Sequence, residues 1–226
     1  MSAGDFDFAE RRVLISAGPT FEDIDPVRFI GNRSSGKMGF AIAQAAARRG
    51  ARVMLIAGPV HLPTPDDVQR IDVRSAAQMH AAVLAQLPAD IYIGAAAVAD
   101  YTPREVAPIK MKKRPGQETL VLDLVRTPDI LAELAAHAQR PPLVVGFAAE
   151  TDRVAEYARG KLIAKRIDLI AANRVGIAGC GFESDDNALE VFWHDGERSL
   201  GPAPKAQLAD ALLDLVREQW CLRAGR

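Results

Sequence analysis

The stretch "GKMGFAIAQAAARRGARVMLIAG", residues 36–58, predicts one helix followed directly by one buried strand. Its Ala-rich first half carries Arg48 and Arg49 in the last turn, and Gly50 stands where a helix commonly ends. The apolar run 52–58 that follows is short and uninterrupted, which is typical of a strand covered on both faces. The stretch therefore predicts a helix–strand unit of an α/β protein.

The same alternation continues on both sides of this unit. Short apolar runs predict strands at 12–16, 52–58, 71–73, 90–100, 143–147 and 168–172, with an outlying strand at 119–125. Longer periodic segments predict helices at 36–50, 75–88, 128–138, 152–166 and 205–220. The segment 188–200 predicts a hairpin that turns at Asp195-Gly196. We expect a three-layer, Rossmann-like α/β domain: a mostly parallel sheet with helices on both faces and a C-terminal β-hairpin lobe.

Composition excludes several classes of protein. The 226 residues suffice for one large domain, here expected at 11–226 after a flexible lead-in at 1–10. The formal net charge of -1 gives no sign of binding to nucleic acid or to an anionic membrane. No apolar run approaches 18 residues and the start of the chain is polar, so we expect a cytoplasmic protein. Cys180 and Cys221 lie far apart without metal-type spacing, which indicates either a reducing compartment or merely an absence of disulfide constraint.

Ligands of such folds bind beyond the carboxyl ends of the strands. The candidate site residues therefore follow strands, in "AGPT" at 17–20, "AAAVAD" at 95–100 and "GFAAET" at 146–151. The irregular stretch 101–118 contains three prolines and is too long for an ordinary connection, so it predicts a lid or binding loop.

The stretch "IGNRSSGKMG", residues 30–39, nearly matches a phosphate-binding loop. Met38 stands where Ser or Thr would hold magnesium, and the strand at 12–16 ends about 15 residues too early for that motif. A different anion site stays open, because the N–H groups of a helix entry suit a phosphate. It would be built by Ser34, Ser35, Gly36, Lys37 and Gly39. The alternative is a Gly-rich helix entry whose serines only cap the helix.

Other motifs are weaker. Tyr157 and Lys161 have the Y-x-x-x-K spacing of short-chain dehydrogenases, but the catalytic Ser or Thr upstream and the early glycine fingerprint are both missing. Five lysines form two groups: Lys161 and Lys165, which share one helix face, and Lys110, Lys112 and Lys113 in the long loop. They could bind a polyphosphate together or form two solvated clusters of charge. The histidines, at 61, 80, 137 and 194, have no metal-binding spacing.

Taken together, these segments resemble one family, phosphopantothenate–cysteine ligase, also called phosphopantothenoylcysteine synthetase. It is the synthetase domain of the bacterial bifunctional coenzyme A biosynthesis protein, whose N-terminal part is commonly a flavin-dependent decarboxylase. The resemblance covers nearly all of residues 11–220, and its most specific strings are "DPVRFIGNRSSGKMG" and "AAVADY…KMKK". "TPDIL", "GFAAET", "DLIAANRV" and "FESDDNAL" add to it.

The resemblance implies a two-step ligation. CTP activates the carboxylate of 4′-phosphopantothenate as an acyl-cytidylate and releases pyrophosphate, after which the cysteine amine displaces CMP. Asn32 matches the asparagine that contacts the acyl-cytidylate, and Lys110 matches a lysine at the triphosphate. We expect both to be catalytic. A neutral carboxamide can hydrogen-bond a phosphate oxygen without repelling it.

The resemblance also implies a nucleotide site, with magnesium bridging the phosphates and no protein residue assigned to the metal. Its residues are Gly94, Ala95, Ala96, Asp100, Lys110, Pro128, Asp129, Ile130, Leu131, Phe147, Lys161 and Lys165. A homodimer is expected through 188–200, since the apolar side of that hairpin needs cover. The loop 103–117 is expected to be mobile until a triphosphate draws Lys110 inward.

Two rival functions remain open at this point. One is an NAD(P)-dependent reductase on the same fold, and the other is a nucleotide-binding regulator with an inactive site. The presence of Asn32 and Lys110 argues against the regulator.

Overall fold

The computed structural model describes residues 7–113, 115–116, 118–150, 152–174 and 186–224. Predictions that fall on Arg114, Gln117, Thr151, Cys180 and the lead-in residues 1–6 lie outside these ranges. The strands are β1 (Arg12–Ala17), β2 (Phe21–Asp23), β3 (Phe29–Gly31), β4 (Arg52–Ala57), β5 (Val68–Asp72), β6 (Ile91–Gly94), β7 (Tyr101–Pro103), β8 (Leu124–Arg126), β9 (Leu143–Glu150), β10 (Leu169–Arg174), β11 (Asp186–Trp193) and β12 (Gly196–Pro204). The helices are α1 (Lys37–Arg48), α2 (Ala76–Ala85), α3 (Ile130–Ala136), α4 (Val154–Lys165) and α5 (Lys205–Ala224).

Eight strands form the central sheet, in the order β12-β11-β10-β9-β6-β1-β4-β5. The pairs from β10 through β5 are all parallel, and β11 and β12 are antiparallel to their neighbours. The mostly parallel α/β fold is therefore confirmed. The predicted hairpin is present, and because β11 pairs with β10 it forms the antiparallel end of the central sheet.

Both faces of the sheet are covered, because consecutive residues of a strand point to opposite faces. In β1, Ile15 packs in one core cluster with Ile42 of α1 and Leu212 of α5. The preceding residue, Leu14, packs in a second cluster with Met79 of α2 and residues of α4. The three-layer arrangement follows from this alternation.

Several expected boundaries are corrected. The strand predicted at 90–100 ends at Gly94, because the chain leaves the sheet there and Ala97 bonds instead to the turn after β1, with its N–H on the oxygen of Gly18. Of the segment 119–125, only its end contributes to β8, which pairs with β7. The hairpin turn lies one residue early, at His194-Asp195, since Trp193 pairs with Gly196.

The start of the described chain is not a loose lead-in. Phe8 is buried at 2% exposure, and the Asp7 carboxylate forms an ion pair with Arg49. The expectation of a flexible segment up to residue 10 is therefore wrong for these residues, because an apolar side chain there completes the core under α1.

The apolar side of the hairpin does not need cover from a second copy of the chain, so this expected basis for a dimer is wrong. Leu189 and Val191 on the apolar side of the hairpin are buried in the same cluster as Ala209 and Leu212 of α5. Helix α5 therefore supplies the cover from within the chain, and the homodimer stays a prediction. Among the described residues, no helix is both long and apolar enough to cross a membrane.

Candidate functional site

A cavity of about 830 Å³ lies at the carboxyl edge of the parallel strands. It is lined by residues at or just beyond the ends of β1, β6, β9 and β10, and by the segments that enter α1 and α3. Every predicted site residue except Lys110 lines it: Asn32, Gly94, Ala95, Ala96, Asp100, Pro128, Asp129, Ile130, Leu131, Phe147, Lys161 and Lys165. The chain thus brings residues from five separate segments to one edge of the sheet.

Asn32 is held at the rim of the cavity by one hydrogen bond. It follows β3, and its Nδ2 donates to the backbone oxygen of Val98 at 2.9 Å. Val98 belongs to the loop that leaves β6. This bond uses one of the two N–H groups of the carboxamide, so the second N–H can donate to a phosphate oxygen of a ligand and the carboxamide oxygen can accept a hydrogen bond.

Glycines let backbone and helix approach the cavity closely. A Cβ atom on Gly39 would lie 2.4 Å from the Cβ of Ala17, so α1 packs directly against the end of β1. A Cβ on Gly94 would lie 3.2 Å from the ring of Tyr92 and 3.3 Å from Leu131. Small residues at these positions therefore set both the place of α1 and the depth of the cavity floor.

The entry to α1 has features of an anion site and also of a Gly-rich helix entry capped by serines, the two alternatives that the sequence left open. The hydroxyl of Ser34 accepts the N–H of Gly36 at 3.3 Å, and that of Ser35 accepts the N–H of Lys37 at 3.5 Å, so the serines cap local N–H groups. The same residues line the cavity. Gly36 has a φ of 75°, in the left-handed region that favours glycine.

Two predicted lysines enter the cavity already paired with carboxylates. The Nζ atom of Lys161 lies 2.7 Å from Glu150, and that of Lys165 lies 3.1 Å from Asp129. Asp129 also caps α3 by accepting the N–H of Ala132 at 3.1 Å. An incoming polyphosphate would therefore exchange these pairs for phosphate contacts.

Lys110 is the one predicted site residue that the structure keeps outside the cavity. Lys110 lies exposed on the loop after β7. The residue that follows it, Met111, donates its N–H to the Asp25 carboxylate at 3.0 Å. The N–H of Ala107 also bonds to the oxygen of Ile24 at 2.9 Å. The loop is thus attached to the segment between β2 and β3, contrary to the expectation that it is loose throughout.

The carboxylate of Asp25 is itself almost fully buried, at 1% exposure. Its oxygens accept hydrogen bonds from the Arg28 guanidinium and from the backbone N–H groups of Val27, Arg28 and Met111. The bond from Arg28 and the backbone donors hold the pKa of this carboxyl well below its usual value, despite burial. Asp25 therefore stays ionised and keeps the loop attached.

Sequence reasoning missed a buried pair on the cavity floor. The hydroxyls of Ser16 and Tyr92 lie 2.9 Å apart on neighbouring strands, and both residues line the cavity. Burial raises the pKa of Tyr92 to about 12, so the phenol is neutral near pH 7. Alternation along β1 and β6 predicts apolar residues there, and no local signal marks the pair.

Other missed residues came from strand ends and from the hairpin. They are Arg33, Arg126, Thr127, Asn173, Asn187 and Lys205. Asn173 lies at the end of a parallel strand, so the rule that ligands bind beyond strand ends could have found it. Asn187 and Lys205 lie at the two ends of the β11–β12 hairpin, and the predicted hairpin carried no sign that its ends would line the cavity.

The dehydrogenase pair is not assembled in the cavity. Lys161 lines it, but Tyr157 does not, and its hydroxyl contacts Arg153 near the start of α4. Within the described ranges, no three His, Cys, Asp or Glu side chains are grouped as a metal site.

Comparison with known proteins points to one family. The model for the DNA/pantothenate metabolism flavoprotein C-terminal domain matches residues 8–219. Among curated proteins, the coenzyme A biosynthesis bifunctional proteins CoaBC of Vibrio cholerae and Escherichia coli K12 are each 54% identical to this chain, over 92% and 93% of its length. These matches cover 53% and 52% of those proteins. The chain spans about half the length of the curated relatives it matches.

Solved structures share the fold. The C-terminal domain of a CoaBC protein is 38% identical with a TM-score of 0.79, covering 94% of this chain and 97% of that one. A Cab2 variant in complex with phosphopantothenate-cysteine is 16% identical with a TM-score of 0.77, covering 96% and 89%. At 16% identity, the similarity to the Cab2 variant supports the shared fold alone.

Proposed function

Because this chain belongs to the family of DNA/pantothenate metabolism flavoprotein C-terminal domains, we propose that it is a ligase of coenzyme A biosynthesis that joins 4′-phosphopantothenate to L-cysteine. The coarser part of this proposal is supported by relatives named as coenzyme A biosynthesis proteins. The observation that carries the finer part is the convergence of Asn32, Gly94–Ala96, Lys161 and Lys165 on one cavity.

The reaction we propose has two steps. A carboxylate oxygen of 4′-phosphopantothenate attacks the α-phosphorus of CTP, and the bond to the β-phosphate breaks to release pyrophosphate. The cysteine amine then attacks the acyl carbon of the acyl-cytidylate, loses a proton and expels CMP. The product is 4′-phosphopantothenoyl-L-cysteine.

Each proposed residue has a role that suits its chemistry. The Asn32 carboxamide orients an oxygen of the acyl phosphate, and Lys161 and Lys165 balance the charge of the triphosphate. The N–H groups at the start of α3 and the small residues Gly94–Ala96 let the nucleotide approach the backbone. Lys110 must move inward from its exposed position to reach the triphosphate, which makes its loop a lid.

Magnesium fits this cavity as a partner of the nucleotide. Asp100 and Asp129 line the cavity, but the described residues contain no grouped set of three carboxylate, His or Cys ligands. Mg²⁺ keeps much of its water and is commonly held by one or two carboxylates together with phosphates. When bound, it supplies charge neutralisation at the phosphates.

One assay separates this proposal from its rivals. The protein is incubated with CTP or ATP, together with phosphopantothenate and cysteine, and pyrophosphate is measured. We expect release with CTP in preference to ATP. Tight binding of NAD(P)H without pyrophosphate would favour the reductase, and CTP binding without turnover would favour the regulator.

The homodimer and the cytoplasmic location are further parts of the proposal. The homodimer rests on the resemblance, and the location rests on a sequence in which no apolar run approaches 18 residues. Sedimentation velocity at micromolar concentration should give a dimer of 226-residue chains. A monomer in that experiment would contradict the dimer and would leave the ligase proposal in place.

A further inference from the structure

Two lysines of the cavity are each held by a carboxylate from a different element. Lys161 and Lys165 lie four residues apart on α4, so they share one face of that helix. Glu150, the last residue of β9, pairs with Lys161, and Asp129, the N-cap of α3, pairs with Lys165. In the free protein, the charge of these lysines is therefore already balanced by carboxylates.

The pair of Glu150 and Lys161 is the tighter of the two. Its Oε1 and Nζ atoms are 2.7 Å apart, and the Glu150 side chain is 15% exposed. Asp129 lies 3.1 Å from Lys165, is 47% exposed, and also accepts the N–H of Ala132 at the start of α3. Because lower exposure means weaker screening by solvent and salt, Glu150 holds its lysine more strongly than Asp129 does.

Glu150 holds Lys161 from outside the cavity. The two residues before it, Ala148 and Ala149, line the cavity, and so does Lys161, whereas Glu150 does not. Lys161 thus has the cavity on one side and a carboxylate on the other. An ammonium group has three donors, so a phosphate that enters the cavity can either share Lys161 with Glu150 or displace Glu150 from it.

Both outcomes weaken the binding of a phosphate at Lys161. Displacement removes the partner of a mostly buried carboxylate, and sharing leaves two anions around one ammonium group, where they repel each other. The repulsion grows with the charge of the ligand. Glu150 therefore opposes pyrophosphate and the triphosphate of CTP more strongly than the single phosphate of CMP.

We propose that Glu150 is a positioning residue that competes with nucleotide phosphates for Lys161 and thereby favours the release of pyrophosphate, an inference that rests on the proposed function. The first proposed step forms pyrophosphate beside the lysines, which without counter-ions would retain this multiply charged product. Product release limits the rate of many enzymes. As pyrophosphate leaves, Glu150 pairs with Lys161 again, so no unpaired charge remains on that lysine.

The test measures the binding of pyrophosphate, CTP and CMP to the wild type and to Glu150→Gln by calorimetry. The variant keeps the shape of the side chain and removes the competing charge. We expect the Kd of pyrophosphate and that of CTP to fall by about 5-fold, as for one partly exposed ion pair. The Kd of CMP should change by less than about 2-fold. Structural damage would weaken binding, so it does not imitate this result.

Glu156→Gln is the matched control on the same helix. Glu156 pairs with Arg153, both side chains are more than half exposed, and neither residue lines the cavity. The control changes the net charge by the same amount, so its Kd for pyrophosphate should stay within about 2-fold of the wild-type value. Equal tightening in both variants would be a general effect of net charge and would overturn the role of Glu150.

Two other results would also overturn the proposal. Weaker binding of pyrophosphate by Glu150→Gln would mean that Glu150 orients Lys161 towards the phosphate instead of competing with it. Unchanged binding would mean that the ion pair does not compete at all. Product inhibition gives a second readout, since the inhibition constant of pyrophosphate should fall by the same factor as its Kd.

Binding of pyrophosphate needs no turnover, so this proposal and the proposed function can fail separately. If the wild type forms no ligation product but Glu150→Gln binds pyrophosphate more tightly, the ligase fails and the competition for Lys161 stands. If the wild type turns over and the variant binds pyrophosphate as the wild type does, the competition alone fails.

Discussion

The Asp25 carboxylate accepts the backbone N–H of Met111 at 3.0 Å, although the two residues are 86 positions apart in the chain. Arg28 strengthens the link, because its guanidinium donates both to Asp25 and to the backbone oxygen of Met111 at 3.1 Å. The residue before Met111 is Lys110. A buried carboxylate therefore holds the base of the proposed lid against the segment that leads to Asn32.

Replacing Asp25 should loosen the lid. Asp25→Asn removes the charge that pairs with Arg28 and weakens the bond to Met111. We expect trypsin to cleave after Lys110, Lys112 or Lys113 about 5-fold faster in the ligand-free variant, because local opening of the loop becomes easier. The melting temperature should also fall. Time-resolved digestion followed by mass spectrometry measures both the rate and the sites.

The matched control is Asp123→Asn, in the segment that enters β8. Asp123 pairs with Arg104 of the same loop at 2.6 Å, but both side chains are more than half exposed. Exposed pairs contribute little, so its digestion rate should stay near that of the wild type. Equal acceleration in both variants would show that Asp25 has no special part in holding the loop.

The contribution of Asp25 to stability should depend on pH in one direction. Because its pKa in the folded protein is lowered, its contribution is complete above about pH 4, near the pKa of an unfolded aspartate, and is lost as pH falls below that value. The difference in unfolding free energy between wild type and Asp25→Asn should be constant from pH 5 to 7 and shrink below pH 4. Denaturant titrations at several pH values measure it, and a gap that widened in acid would contradict the assignment.

Lys110→Gln tests the lid itself. We expect kcat of the proposed ligase to fall by about 10²-fold or more, as for losing one group that stabilises developing charge. The melting temperature of the free protein should barely move, because Lys110 is exposed. CTP with magnesium should protect the loop from trypsin in the wild type. Glu105→Gln, on the same exposed loop, is the control, and undiminished turnover of Lys110→Gln would exclude the lid role.

The activity should depend more on the charge of the side chain at position 32 than on its size. Asn32→Asp retains the shape but places a carboxylate beside the Val98 oxygen and the bound phosphates, so we expect it to lower kcat at least as much as Asn32→Ala, by about 10²-fold. Both variants should fold normally, since Asn32 is exposed. Initial rates of pyrophosphate release and thermal melts measure these effects. Activity of Asn32→Asp near that of the wild type would remove Asn32 from the mechanism.

Gly39→Ala should damage the site through packing. The added Cβ would lie 2.4 Å from the Cβ of Ala17, which forces α1 away from β1. We expect a loss of about 1–3 kcal/mol of stability, as for overpacking of a core, and weaker binding of ligands because the entry to α1 lines the cavity. Gly160→Ala is the control, because its Cβ would meet nothing within 4 Å. Denaturant titrations of the two variants measure the free energy of unfolding, which should fall in Gly39→Ala and not in Gly160→Ala.

The parts of the structure that sequence reasoning predicted are those with local causes. Apolar runs and helix ends predicted the strands of the central sheet and the five helices in their order, since period and capping depend on neighbours in the chain, but they did not predict the short strands β2, β3 and β7. The rule that ligands bind beyond strand ends placed Ala95, Asp100 and Phe147 near one edge, because the carboxyl ends of parallel strands meet there. The residue identities of the site came with the family resemblance.

Tertiary structure alone decided which distant groups meet. The burial of Asp25 against Met111 and the pairing of Ser16 with Tyr92 both depend on strand register or loop docking between segments with no shared local pattern. The same holds for Lys110, whose sequence match predicts a place in the cavity while the loop's backbone bonds keep it outside. Sequence determined the fold and the edge where ligands bind, because these follow from local periodicity. The inner arrangement of the site required the folded chain, because long-range hydrogen bonds form only after the strands and loops are in place.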